Sequence, residues 1–439
     1  MVVGGSARGG LRQEPVASRR RRAQLSRLAM LLCLAAAIPD PALAQVDQQR
    51  AEIYFREAAE LCEREGGKLW GVSLCGPMVF SDPAAKTIAT NQAAPEAPRP
   101  PALGYANSSL DWGGVRWSTY VWQMIPAEDR HARGRLMLHE LFHRVQPQLG
   151  FVLREGNNDH LDTLDGRYWM QLEWRALARA LGSSGPERVE ALRDALAFRS
   201  VRRAQFPGAA ENERLLEINE GLAQYTGTVA SSASTASAAA DAIDQLARSE
   251  KNQTFVRTFA YASGAAYGIL LDAWAPGWTR KIKTTDDLGQ LVMSAANIQP
   301  AESAAAVASR YNGAALRVAE EKREAERKAL IADFRRRFVE GPVLVLPRDG
   351  NASFTTAGIT PIPGVGTIYP NFRVNGEWGS LEAATVLMSA DRTTLTLPAP
   401  VTADGSAPKG EGWTLTLAPG WVARPGPRAG DFRVVHEGG

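Results

Sequence analysis

Leu136-Met137-Leu138-His139-Glu140-Leu141-Phe142-His143-Arg144-Val145 sets His-Glu-x-x-His inside an apolar run, and the reading of that stretch decides the fold. On a helix, residues four apart lie one above the other, so His139 and His143 point the same way with Glu140 beside them. Two imidazoles so placed can hold one zinc ion, and a neighbouring carboxylate can take a proton from bound water, which is metallohydrolase chemistry. The flanking residues leave almost no polar face, so the helix is expected to be buried. Burying these groups unpartnered would cost on the order of 2 kcal/mol or more for each. A bound cation removes that penalty; the alternative is hydrogen-bonded core histidines whose spacing is accidental. Of the 5 His in the chain, His131, His139, His143 and His160 fall within thirty residues.

Working outward, Pro126, Glu128 and Asp129 are first-turn chemistry for this helix, and Pro147 and Gly150 end it. The polar loop 154–166, with Asn157, Asn158, Asp159, His160, Asp162 and Asp165, could bind calcium, line a cleft or be a solvated turn. Helices are expected over 168–181 (carrying Glu173), from Pro186 to about Phe206, and over 209–225. In the last, Glu213, Glu217 and Glu220 share one face, where like charges oppose the helix by a few tenths of a kcal/mol per pair. Such a row wants a cation, either a metal or Lys and Arg. The Ala- and Ser-rich stretch 228–248 carries little information. An apolar helix follows over 255–274, with Gly264 and Gly268 on one side, where another helix could come close. Its Tyr261 and Tyr267 could donate into a cleft or be satisfied core residues.

Towards the N-terminus, Arg19 to Arg22 and Arg27, an apolar run from Leu28 to Ile38 and Ala42-Leu43-Ala44 have the three parts of a secretory signal covering 1–44. The run is too short to span a membrane, and export implies a periplasmic or extracellular protein. Cys62 and Cys75 then remain, either joined in a disulfide or as two free thiols. A helix is expected over 45–66, a strand-like segment over 69–80, a surface loop over 82–101 and a strand over 115–122.

Beyond 300 the chain turns Ala-rich and then charge-laced, which reads as an exposed helical spacer over 301–340. Short strand-like runs separated by Gly and Pro over 341–439 read as a small all-β sandwich or barrel. The expected class is α+β, with a mainly helical domain and small N-terminal sheet over 45–300. The first 44 residues hold seven Arg against Glu14 and Asp40, which leaves 43 basic and 45 acidic residues, net −2. Nothing in that balance argues for a nucleic-acid partner.

A catalytic zinc takes three protein ligands and a water, so one ligand is missing from the motif; Glu220, Glu217, Glu173 and His160 are the candidates. The stretch Asn219-Glu220-Gly221-Leu222-Ala223-Gln224-Tyr225, taken with the histidine motif, resembles the gluzincin metallopeptidases. There a helix carrying Glu-Gly-x-Ala-x-Tyr supplies the third ligand, and bacterial collagenase-like enzymes have a similar pairing. The resemblance implies a zincin-like domain, with His139, His143 and Glu220 as Zn2+ ligands, Glu140 as general base, and a peptide or protein as substrate. It also implies that the strand 115–122 borders the cleft and pairs with substrate. The chain departs from the family in a long insertion between the motifs, so Glu173 and Glu217 stay as alternative ligands. It lacks the Gly-x-Met-Glu-Asn motif of the aminopeptidases. His160, Tyr225 or Tyr267 could donate to the transition state. The competing function is a zinc-containing, non-catalytic protein that contacts the cell envelope through the β module.

Overall fold

The computed structural model describes residues 45–438 except 152, 153, 155, 356, 357 and 402–407. The expected signal sequence lies outside the described residues. The chain runs α1 (Gln48–Glu65), β1 (Met78–Asp82), β2 (Thr87–Thr90), β3 (Ser108–Trp112), β4 (Val115–Val121) and the motif helix α2 (Arg130–Val145). Helices α3 (Leu164–Gly182), α4 (Gly185–Gln205), α5 (Ala209–Leu216), α6 (Leu222–Ser231), α7 (Thr235–Ser249), α8 (Phe259–Trp274) and α9 (Leu288–Ala296) follow. The short α10 (Ala304–Val307) and long α11 (Gly313–Arg335) lead into a β-rich C-terminal part. The protein is α+β and mainly helical, with no described helix long and apolar enough to cross a membrane.

The N-terminal sheet has the order β2-β1-β4-β3, with β1 parallel to β4 and the outer pairs antiparallel. All five residues of β1 are buried, because successive side chains enter two different cores. Val79 packs with Trp112 and Trp117, while Phe80 stacks on Phe55 at 4.1 Å. The strand expected from residue 69 begins only at Met78. Before it, the carbonyls of Gly67, Lys68 and Leu69 accept from Arg280, and those of Leu74 and Cys75 from Arg144. Backbone acceptors already satisfied by guanidiniums have no need of a ladder. Cys62 and Cys75 are joined in a disulfide, Cα to Cα 5.2 Å. The expected loop 82–101 contains β2, four residues whose ladder is supplied by β1.

Two further expectations are corrected. Strand β4, the stretch expected to border the cleft, is paired on both sides, so it has no free edge for substrate; the edge strand beside it is β3. The region from 301 is not a free spacer at its start. Ala304, Ala308, Tyr311 and Leu316 belong to the large helical core, and Glu320 on α11 accepts from Arg167 and Gln171 on α3.

Beyond it, β5 (Val343–Pro347), β6 (Asn351–Ser353), β7 (Thr360–Ile362), β8 (Gly366–Gly376), β9 (Gly379–Ser389), β10 (Thr394–Pro398), β11 (Lys409–Gly410), β12 (Trp413–Leu417), β13 (Trp421–Pro425) and β14 (Phe432–His436) form one hydrogen-bonded sheet. Strand β9 pairs with β12 along its first half and with β10 along its second, so the sheet folds over its own core around Phe372, Trp378 and Trp413. Strand β8 pairs along the other edge of β9, so the ladder branches at β9.

Candidate metal centre

The motif helix is fixed before its histidines are considered. Asp129 caps it by accepting from Ala132 N–H at 2.9 Å, which satisfies one of the free amides of the first turn. Met137, Leu138, Leu141, Phe142 and Val145 are buried, with Phe142 against Trp70 at 4.7 Å. From β4, the Tyr120 hydroxyl donates to the Met137 carbonyl (2.8 Å) and Ser118 to the Glu140 carbonyl (3.0 Å). Helix α6 approaches on the other side, where a Cβ at Gly227 would stand 2.5 Å from the Arg135 carbonyl oxygen.

The helix expected over 209–225 is interrupted. Residues Glu217–Gly221 form a π turn between α5 and α6, a wider winding that often marks functional sites. It divides the glutamate row between two environments. Glu213 accepts from Arg202 and Arg203, and Glu217 from Arg199. Glu220 turns to the histidines. The π turn is braced by α8, whose Gly264 lies so close that a Cβ there would stand 2.2 Å from the Gly221 Cα.

Three donor atoms converge. His139 Nε2 and His143 Nε2 are 3.0 Å apart, and Glu220 Oε2 is 3.5 Å and 3.4 Å from them. Ligand bonds of about 2.0–2.2 Å at a tetrahedral centre put neighbouring donor atoms about 3.3–3.6 Å apart; the two edges to Glu220 have that length and the edge between the imidazoles is shorter, so the triangle is near the size a zinc ion takes. Two imidazole nitrogens this close need a proton or cation between their lone pairs. Among the described residues this is the one group of three or more His, Cys, Asp or Glu side chains that could hold a metal ion. Burial pushes the Glu220 carboxyl up, but the two histidines outweigh it and hold the group far below the usual range. Burial lowers His143, and hydrogen bonding to Glu220 with the charge of Glu140 more than restores it. Burial raises Glu140, only partly offset by His139 and His143.

Gln146, which sequence reasoning passed over, sets the tautomer. Its Nε2 donates to the carbonyls of Ile218 and Asn219 at 3.2 and 3.0 Å, so its Oε1 must face His143 Nδ1 at 2.6 Å. Nδ1 is then the protonated nitrogen, and Nε2 keeps its lone pair for a metal. The same amide ties α2 to the turn that carries Glu220. Gln146→Ala is expected to weaken zinc binding roughly 10- to 100-fold, measured by competition with a chromogenic chelator; unchanged affinity would refute this role. Its position three residues after His143 was the available signal. His139 Nδ1 is buried without a partner among the described residues, and the His139 ring stacks on Tyr261 at 5.5 Å.

The other candidates lie elsewhere. Glu173 accepts from Arg199, Arg202 and Tyr267, so neither Glu173 nor Glu217 faces the histidines, and Tyr267 is a core hydroxyl. Tyr225 donates to Asp272, and His160 pairs with Glu213. The polar loop is dispersed too: Asp162 accepts from Thr254 and Phe255 N–H, and Asp165 pairs with Arg317. Tyr261 is the tyrosine at the site; burial and the adjacent Glu220 push its hydroxyl well above the ordinary range. His139, Glu140 and Tyr261 border a cavity of about 600 Å³, which reaches Ala106 and Asn107 just before β3. No protein-family model, curated protein or solved structure matches the chain.

Proposed function

We propose that this chain is an exported zinc peptidase of gluzincin type, with a zincin-like domain over 45–300 in which His139, His143 and Glu220 hold the ion. The observation that carries the proposal is the convergence of two Nε2 atoms and one carboxylate oxygen within 3.0–3.5 Å of one another, beside a cleft that Glu140 also lines. The leader sequence and the Cys62–Cys75 disulfide support export, since such bonds persist in oxidising compartments. The motif helix beneath a small sheet, with β3 at the outer edge, supports the zincin reading.

A metal held here would polarise a peptide carbonyl and lower the pKa of water to about 7. Glu140 takes the proton from the attacking water and returns it to the leaving nitrogen. Tyr261 takes over the role expected of His160, Tyr225 or Tyr267, donating to the oxygen on which negative charge develops. The backbone just before β3 offers polar groups along which an extended chain can lie.

Dialysis against a zinc chelator is expected to abolish cleavage of an unfolded protein substrate, and one equivalent of zinc to restore it. Full activity after complete metal removal would overturn the proposal.

A further inference from the structure

The cleft that holds His139 and Glu140 also holds two cations, Arg135 on α2 and Arg248 on α7. Most arginines of the helical part are committed: Arg167, Arg175, Arg199, Arg202, Arg203 and Arg310 all face carboxylates. Neither Arg135 nor Arg248 has a side-chain hydrogen bond or an ion pair within 4.0 Å among the described residues. Asp241, the acid that acts most strongly on Arg135, is taken by His131 and Ser232. Burial lowers the Arg135 pKa, Asp241 pulls it back and Arg248 pushes it down again, as expected of two cations sharing one cleft. Apart from these two, His139 and Glu140, the polar lining is uncharged: Asn107, Gln224, Gln245, Ser249, Asn252 and Tyr261.

We infer that Arg135 and Arg248 form a carboxylate subsite, which makes acidic peptides the preferred substrates of this site. The inference rests on the hydrolase reading above and names its substrate class. Arg135 is half-buried and Arg248 exposed at the mouth of the same cleft; guanidiniums left without a partner there are suited to an anion brought by a ligand, because Arg presents a fork that matches a carboxylate. Position follows from the helix. Arg135 precedes His139 by four residues, so the two side chains rise from one face about 6 Å apart. An extended peptide advances about 3.3 Å per residue. The carboxylate recognised therefore lies one or two residues from the scissile bond, as an Asp or Glu side chain or as the C-terminal carboxylate itself.

Two readouts test this. The first is fluorescence-anisotropy binding to zinc-loaded Glu140→Gln protein, which needs no turnover. Three peptide families are compared: internal Glu with an amidated C-terminus, neutral side chains with a free C-terminus, and neutral side chains with an amidated C-terminus. One charged family is expected to bind roughly 10- to 100-fold more tightly than the uncharged one, and which one identifies the source of the carboxylate. Adding Arg135→Gln and Arg248→Gln should bring that ratio close to one. The second readout is the same ratio in kcat/KM for the otherwise wild-type enzyme. Equal binding of all three families, or a preference that survives loss of both arginines, overturns the subsite. Arginine-dependent binding of a charged peptide that zinc-loaded wild-type protein never cleaves supports the subsite and overturns the hydrolase reading instead.

Discussion

Glu140→Gln is expected to keep one zinc per chain and the wild-type fold while lowering kcat for peptide hydrolysis by about 10²–10⁴, the usual worth of a general base. Gln fills the same volume at the cleft edge, where Glu140 is 5% exposed. It cannot accept the proton of the attacking water. The three convergent donor atoms belong to His139, His143 and Glu220, so the substitution removes none of them. Nor should it cost stability, because burial already disfavours the charged form of this carboxyl. The loss should appear in kcat with KM little changed, since Glu140 acts on the proton in flight more than on the bound peptide. Hydrolysis at the wild-type rate, with zinc content unchanged, would remove Glu140 from the mechanism.

The second large effect is structural. Arg202 is fully buried and donates to Glu173 on α3 and to both carboxylate oxygens of Glu213 on α5, the latter at 2.8 Å each. Arg202→Met should destabilise the protein by about 3–5 kcal/mol, because it removes the buried cation that Glu173 and Glu213 share and leaves Arg199 and Arg203 to offset them. At about 2–4 °C per kcal/mol for a domain of this size, Tm should fall by roughly 6–20 °C. Arg179→Met, which removes exposed pairs to Glu187 and Glu190, is the control and should move Tm little. The effect depends on pH. Burial raises the Glu213 carboxyl, but Arg202, His160 and Arg203 outweigh it and hold the group well below its ordinary range. A carboxyl depressed in the folded state contributes stability above its unfolded pKa of about 4.3 and loses it as pH falls through the folded value. The gap between Arg202→Met and wild type should therefore narrow in acid. An equal Tm for the two proteins at neutral pH would show that the network is not needed.

That network also explains what the sequence could and could not reveal. Local patterns were legible where one element carries its own signal: the cap and apolar stripe of α2, the stop of α1 at Gly66, and the paired glycines of α8, of which Gly264 admits the turn bearing Glu220 and Gly268 the Tyr225 ring on α6. The glutamate row was legible as a demand for cations but not as to which. Regular helical spacing places Glu213, Glu217 and Glu220 on one face, whereas the π turn sends two of them to α4 arginines and the third to the histidines. Nothing in the local composition marks that extra winding. Strand β2 and the irregular run before β1 were hidden because their hydrogen-bond partners are remote, Met78–Asp82 in one case and Arg280 and Arg144 in the other. Arg135 could have been found by counting four residues back from His139; Arg248, brought in by a separate helix, could not.

The central claim is that two imidazoles and the carboxylate of Glu220 together hold one metal ion. Equilibrium dialysis of wild-type and Glu220→Ala protein against buffered free zinc tests it most directly, since no substrate has to be known. One zinc per wild-type chain, and at least a hundredfold weaker binding by Glu220→Ala, is the result predicted for removing one of three ligands, on the order of the loss seen for far lesser changes around metal sites. Wild-type protein that takes up no zinc, or a Glu220→Ala variant that binds it as tightly as wild type, would contradict the account.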